Sequence, residues 1–145
     1  MITITTKNAP KQLVERINTF IKNKRITTWD IDNENDYILN LDEYRYKAWM
    51  SIDDRIEGYT LHFCIIESRK YAMTKEIYAV YHTRFAEMLL EYFDTEIEKL
   101  QISPLLVDNY DKFKKQRLRC MEGRPLRARG RGAPRHRLAH PYALL

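Results

Sequence analysis

Apolar and polar positions alternate at the start of the chain. Ile2 and Ile4 stand between Thr3 and Thr5, the period of a short strand with one buried face. From Pro10 the spacing widens to three and four. Leu13, Val14, Ile17, Phe20 and Ile21 make one stripe and leave Lys11, Arg16, Lys22 and Lys24 for water, which predicts a helix with Asn8 as cap and Pro10 in its first turn. Period two then returns. Over residues 27–31, Trp29 and Ile31 oppose Thr28, Asp30 and Asp32; over 44–52, Tyr44, Tyr46, Ala48, Met50 and Ile52 oppose Arg45, Lys47, Trp49 and Ser51. Over 59–66, Tyr59, Leu61, Phe63 and Ile65 oppose Thr60, His62, Cys64 and Ile66, and the short polar link at 53–58 makes the last two segments a hairpin. Between them, Tyr37-Ile38-Leu39 fits either a short strand or a pinned loop.

A long helix is expected from Lys75 to about Leu100, capped by Thr74 and with Glu76 at the positive end of its dipole. Ile77, Tyr81, Phe85, Met88, Leu89 and Tyr92 share a face. Ala79, Ala86, Leu90 and Phe93 carry the apolar arc well past the roughly 100° stripe of a surface helix. Such a helix needs more than one neighbour, and a homodimer is one way to supply it. Ser103-Pro104 marks a break, after which Leu106, Tyr110 and Phe113 suggest a short last helix. The expected fold is α+β: an antiparallel sheet of three to four strands, with the N-terminal helix and the long C-terminal helix packed on one face.

Charge divides the chain. Residues 1–111 hold 14 Lys or Arg against 19 Asp or Glu, a net of −5, whereas residues 112–145 hold 11 against 1, a net of +10. The pI near 9.2 therefore belongs to the tail. From Arg117 onward there are eight Arg and no Lys, and the tail favours residues with GC-rich codons where the body favours those with AT-rich ones. The boundary is drawn as one domain at 1–115 and a basic Arg/Gly/Pro-rich tail at 116–145. That tail reads either as a fused or out-of-frame extension, to be left out of fold reasoning, or as a disordered arm that meets nucleic-acid phosphates through Arg124, Arg127, Arg129, Arg131, Arg135 and Arg137. A body of this length can bury one core unaided. Two cysteines without Cys-x-x-Cys spacing point to a reducing compartment, and no signal-peptide pattern or membrane-length apolar run is seen, so a cytoplasmic, non-membrane protein is expected.

Several groups of residues could carry chemistry. Asp30, Asp32, Glu34 and Asp36 form an alternating acidic cluster, in which Asp30 and Asp32 share a strand face and could as a pair hold a hard cation or serve phosphodiester chemistry, or simply make a solvated turn and strand end. The calcium-loop pattern is broken, however: counted from Asp30, Asn35 stands at the sixth position, where Gly is required, and Leu41 at the twelfth, where the bidentate Glu belongs. Depending on strand order, Arg45, Lys47 and Trp49 could lie beside Asp30, Asp32 and His62, a mixed-charge surface with an exposed aromatic that suits a polar ligand or protein partner, or plain cross-strand ion pairs. His82 and Arg84 sit at the edges of the long helix's apolar arc, where a general base or an anion clamp could stand, as could satisfied boundary residues. No Ser/His/Asp order and no Gly-rich phosphate loop is present. No catalytic residue, metal ligand set or cofactor is assigned.

The order helix, three strands, helix resembles the double-stranded RNA-binding module, but the long helix opens Met73-Thr74-Lys75-Glu76 rather than with a basic cluster. Trp29-Asp30-Ile31-Asp32, Lys47-Ala48-Trp49 and the stretch from Met73 to Leu90 resemble a group of small uncharacterised bacterial proteins across residues 26–95. That resemblance implies a bacterial or phage-type cytoplasmic protein and no particular activity. The expected function is a non-enzymatic module that binds a protein partner, with a metal-dependent hydrolase or nuclease at Asp30 and Asp32, and nucleic-acid binding through the tail, as alternatives.

Overall fold

The computed structural model describes residues 1–104, 106, 107, 110 and 111. Six strands and two helices follow one another as β1 (Ile2–Thr6), α1 (Pro10–Lys22), β2 (Trp29–Ile31), β3 (Tyr37–Leu39), β4 (Ala48–Ile52), β5 (Thr60–Glu67), α2 (Lys75–Phe93) and β6 (Ile97–Ile102). The fold is α+β and the sheet antiparallel, in the order β2-β3-β4-β5-β1-β6. Six strands replace the three to four expected. The extra ones are β3, left open by the sequence, and β6, hidden in what reads as the end of the long helix.

Why α2 stops at Phe93 is visible in its charges. Its last turn carries no basic residue, and Asp94, Glu96 and Glu98 follow, so acidic side chains would meet the negative end of the dipole if the helix ran on. The chain instead makes a single 3₁₀ turn at Asp94–Glu96 and enters β6, which pairs with β1 from Ile2↔Ile102 to Thr6↔Ile97. β1 is thereby enclosed between β5 and β6, and Ile2 and Ile4 are fully buried.

Both helices cover one face of the sheet. Leu13, Ile17, Phe20 and Ile21 of α1 and Ile77, Tyr81, Phe85 and Leu89 of α2 join one core with Ile4, Trp29, Tyr37, Met50, Leu61 and Phe63. Aromatic rings organise its centre: Phe85 lies 4.9 Å from Trp29, 5.3 Å from Tyr37 and 4.8 Å from Phe63. Edge and tilted pairings at these distances add to the burial of area. The wide apolar arc of α2 is largely covered within the chain, since the same helix also buries Tyr78, His82, Ala86, Met88 and Phe93 and leaves Leu90 as its exposed large apolar residue.

Local details differ from expectation at the turns. Asn8 does not cap α1: the N-cap is Ala9, which makes no side-chain capping bond, and the Thr6 hydroxyl donates to the Asn8 carbonyl. Thr74 does cap α2, accepting from Ile77 N at 3.1 Å. α1 ends in a Schellman turn, with Arg25 N donating to Phe20 O and Lys24 N to Ile21 O while Lys24 takes φ +64°. Residues 42–47 form turns, so the strand expected from Tyr44 begins only at Ala48. In place of the expected last helix, the described residues show a turn in which Tyr110 N and Asp111 N donate to Val107 O; Phe113 lies outside them, as does the basic tail with its six arginines. No helix among the described residues is long and apolar enough to cross a membrane.

Candidate functional site

The second face of the sheet, away from the helices, carries the alternate residues of each strand. Near the β2 edge it holds a small apolar cluster of Ile38, Trp49 and Ile66, set side by side by the registers Tyr37↔Met50 and Trp49↔Ile66. Trp49 is 5% exposed rather than the exposed aromatic expected, because it packs between Ile38 and Ile66 in this cluster. The exposed aromatics beside this cluster are Tyr46, 50% exposed with its ring 6.5 Å from Trp49, and Tyr71, 40% exposed.

Cations surround these rings. Arg45 lies over Tyr46 at 5.1 Å, and Lys47 and Lys70 approach Tyr71 at 5.5 Å and 5.7 Å. Two depressions meet along Arg45, Tyr46 and Trp49. One, of about 990 Å³, extends past Ile38 and Asp30 to Lys22 and Lys24 at the end of α1; the other, of about 630 Å³, is walled by Ser68, Arg69, Lys70 and Tyr71. A strip of cations with interleaved tyrosines thus crosses one end of a body whose net charge is negative.

The strip is held by its own local bonding. The Tyr44 carbonyl accepts from the buried Tyr81 hydroxyl and from Lys47 N, the Tyr44 hydroxyl donates to Glu76, and Leu41 O accepts from both Tyr44 N and Arg45 N. Within this turn Tyr46 is forced to φ +64°, a conformation that costs a bulky L-residue about 1–2 kcal/mol. On the other side, the Ser68 hydroxyl accepts from Lys70 N at 3.0 Å and the Glu67 carboxylate from Met73 N, fixing the 68–73 turn. Both tyrosines therefore project from pinned turns.

The sequence-predicted residues divide into groups. Arg45 reaches Asp30 at 3.3 Å and also donates to Asn40, so Asp30 serves as a partner of the strip. Asp32 is drawn away from Asp30: its Oδ1 accepts from Glu34 N and Asp36 N, both at 2.9 Å, and the carboxylates of Asp32, Glu34 and Asp36 gather within 4.8 Å. Lys47 and Trp49 belong to the strip. His62 stands four residues along β5 from Ile66, roughly 13 Å at strand rise. It bonds Thr3 Oγ1 at 2.9 Å and packs against Tyr110, which Arg55 covers at 4.1 Å while pairing with Asp53 at 2.6 Å. Arg84 is exposed and pairs only loosely with Glu87 at 3.5 Å.

His82 lies in a different place altogether, buried between α2 and the start of β1. Its Nδ1 meets the Tyr78 carbonyl at 2.7 Å and its Nε2 meets the Met1 ammonium at 2.8 Å. The carbonyl assigns the proton to Nδ1, leaving Nε2 as acceptor. Burial first, and the adjacent ammonium second, push its pKa down to about 3, so the ring is neutral and positions the chain start. The ammonium also donates to Tyr78 Oη and Ser103 Oγ and lies 3.7 Å from Asp111, whose carboxylate accepts from Ile65 N and Val107 N. Burial lowers the amine and raises Asp111.

Tyr46, Arg69, Lys70 and Tyr71 are not among the residues that the sequence singles out. Arg69-Lys70-Tyr71 is legible as two cations beside an aromatic directly after a strand, but the positive φ that lifts Tyr46 out of the strand pattern is not. No family model, curated protein or solved structure matches this chain.

Proposed function

We propose that the protein is a non-enzymatic binding module whose contact surface is the cationic and aromatic strip formed by Arg45, Tyr46, Lys47, Arg69, Lys70 and Tyr71, and that its partner is anionic there. The observation that carries this reading is the pairing of two half-exposed tyrosines with three cations, Arg45, Lys47 and Lys70, on turns fixed by neighbouring bonds, with Arg69 lining the same depression. Rings on pinned turns lose little entropy on binding, and cations clustered within an acidic body select for negative charge. Of the residues expected to bind a partner, the proposed surface takes in Arg45, Lys47, Trp49 and Asp30, and leaves out Asp32, His62, His82 and Arg84. A direct test is charge reversal at Lys47 and Lys70 together. The K47E/K70E protein should bind labelled polyanions, peptide or oligonucleotide, about tenfold or more weakly with an unchanged unfolding midpoint; unchanged affinity for all of them contradicts the reading.

A second reading rests on the convergence of Asp32, Glu34 and Asp36. Oxygen donors at this spacing suit a hard divalent cation. Calorimetric titration with Mg²⁺ and Ca²⁺, with Glu34→Gln as control, decides it: heat that the variant abolishes supports a cation site, and absence of heat removes it.

A further inference from the structure

We infer that the anionic partner of the strip is single-stranded nucleic acid, bound with bases on the tyrosines and phosphates along the cations. This rests on the reading above and adds the chemistry of the partner. Charge alone suits an acidic peptide equally well, so the aromatic residues decide between the two. An acidic peptide is held by donors and its carboxylate side chains offer no flat face to the two projecting rings, whereas a single strand offers unstacked bases that stack on any flat ring without regard to sequence. Among the described residues, Tyr46 and Tyr71 are the exposed rings at this end of the face, both lining one depression with the buried Trp49, and each has a cation within 6 Å.

The two depressions meeting at Arg45, Tyr46 and Trp49 point the same way. A strand crossing the ridge at Tyr46 would pass from Lys22 and Lys24 on one side to Arg69 and Lys70 on the other, with cations at both ends of its path. Asp30 and Asp32 on the wall of the larger depression oppose phosphate, but Asp30 is already paired with Arg45. Asp32 Oδ1 is engaged by two backbone amides. A double helix suits the strip poorly, because its bases are stacked on each other and cannot reach the rings.

The basic tail offers a second source of nucleic-acid affinity in the full chain, so the readout must be local. The full-length protein is titrated with an oligothymidylate of about eight nucleotides, within the span a single-strand site commonly covers, and with an octaglutamate peptide as the rival. Indole fluorescence and the anisotropy of labelled probes are both followed. The expected result is quenching by the oligonucleotide that Trp49→Phe removes, together with a loss of about tenfold in affinity for it in the Tyr46→Asn/Tyr71→Asn protein. Asn takes positive φ readily, so the turn at 46 is kept. Octaglutamate affinity should not change in that variant. In K47E/K70E the salt dependence should flatten by about 0.7 in log–log slope for each phosphate no longer neutralised.

The outcomes separate. If charge reversal weakens both probes and loss of the tyrosines weakens neither, the strip is an anion-binding surface and the nucleic-acid inference is overturned in favour of an acidic peptide. If neither set of substitutions changes affinity and Trp49 emission does not respond, the strip reading fails as well.

Discussion

Acidification from about pH 7 to about pH 4.5 should weaken the fold through His82, and the size of the loss follows from the geometry around its ring. Nε2 accepts from the Met1 ammonium at 2.8 Å in a buried site, so a proton placed there would set two cations side by side without water between them. The folded state keeps the ring neutral down to about pH 3, whereas the unfolded chain protonates it near 6.5. Between those values the unfolded state binds the additional proton. Stability from this residue is therefore fully present above about pH 6.5 and is lost as pH falls through the window. Two units of that window amount to about 3 kcal/mol, a large part of the stability of a small domain. Asp111 acts in the opposite sense, since burial raises its pKa and acid favours its protonated, folded form. The contribution of His82 is therefore isolated by difference. Urea unfolding at the two pH values should show the wild type losing about 3 kcal/mol more than His82→Gln, whose amide can accept from the ammonium without titrating. Equal pH dependence in the two proteins would refute this role for the His82 cluster.

Other consequences can be checked by the same unfolding assay. Lys24→Gly should stabilise the protein by about 1 kcal/mol, because the C′ position of α1 holds Lys at φ +64° where Gly carries no penalty; destabilisation would show that the lysine stem contributes packing there. Thr74→Ala should cost about 1 kcal/mol through loss of the bond from Ile77 N, with Thr74→Ser close to neutral. Trp29→Phe should lie within about 1 kcal/mol of wild type, because the indole Nε1 is buried without an acceptor among the described residues and its removal offsets lost packing on Tyr81 and Phe85. Trp29→Ala should cost about 3–5 kcal/mol, and similar losses in the two variants would mean that the indole nitrogen is satisfied.

Legibility in the sequence follows periodicity and fails where single backbone conformations or charge decide. The alternation at Ile2 and Ile4, the stripe from Leu13 to Ile21 and the hairpin of β4 and β5 all come from patterns several residues long, and each is seen. The strand β6 carries only Ile97, Leu100 and Ile102 as large apolar residues, spaced three and two apart, and its first half extends the α2 pattern in phase. What ends the helix is acidic charge at its C-terminus, a smaller effect than a hydrophobic stripe and easily outweighed by one when only the sequence is considered. Tyr46 reads as part of a strand because it continues the alternation of Tyr44, Ala48 and Met50. The bond from Tyr81 to the Tyr44 carbonyl comes from a residue 37 positions away and is invisible to local spacing. Asp30, Arg45, Lys47 and Trp49 are legible by their shared face, while Arg69, Lys70 and Tyr71 join them only because the turn after β5 folds back beside Trp49.

The cationic and aromatic strip is tested most directly by amide chemical-shift mapping of the full-length, ¹⁵N-labelled protein titrated with the short oligothymidylate. The amides of residues 45–49 and 68–71 should move together and saturably at low salt, and much less in the K47E/K70E protein. Shifts that leave those residues still and fall elsewhere on the domain, at the Asp32–Asp36 turn or along α2, would contradict a binding surface at the strip.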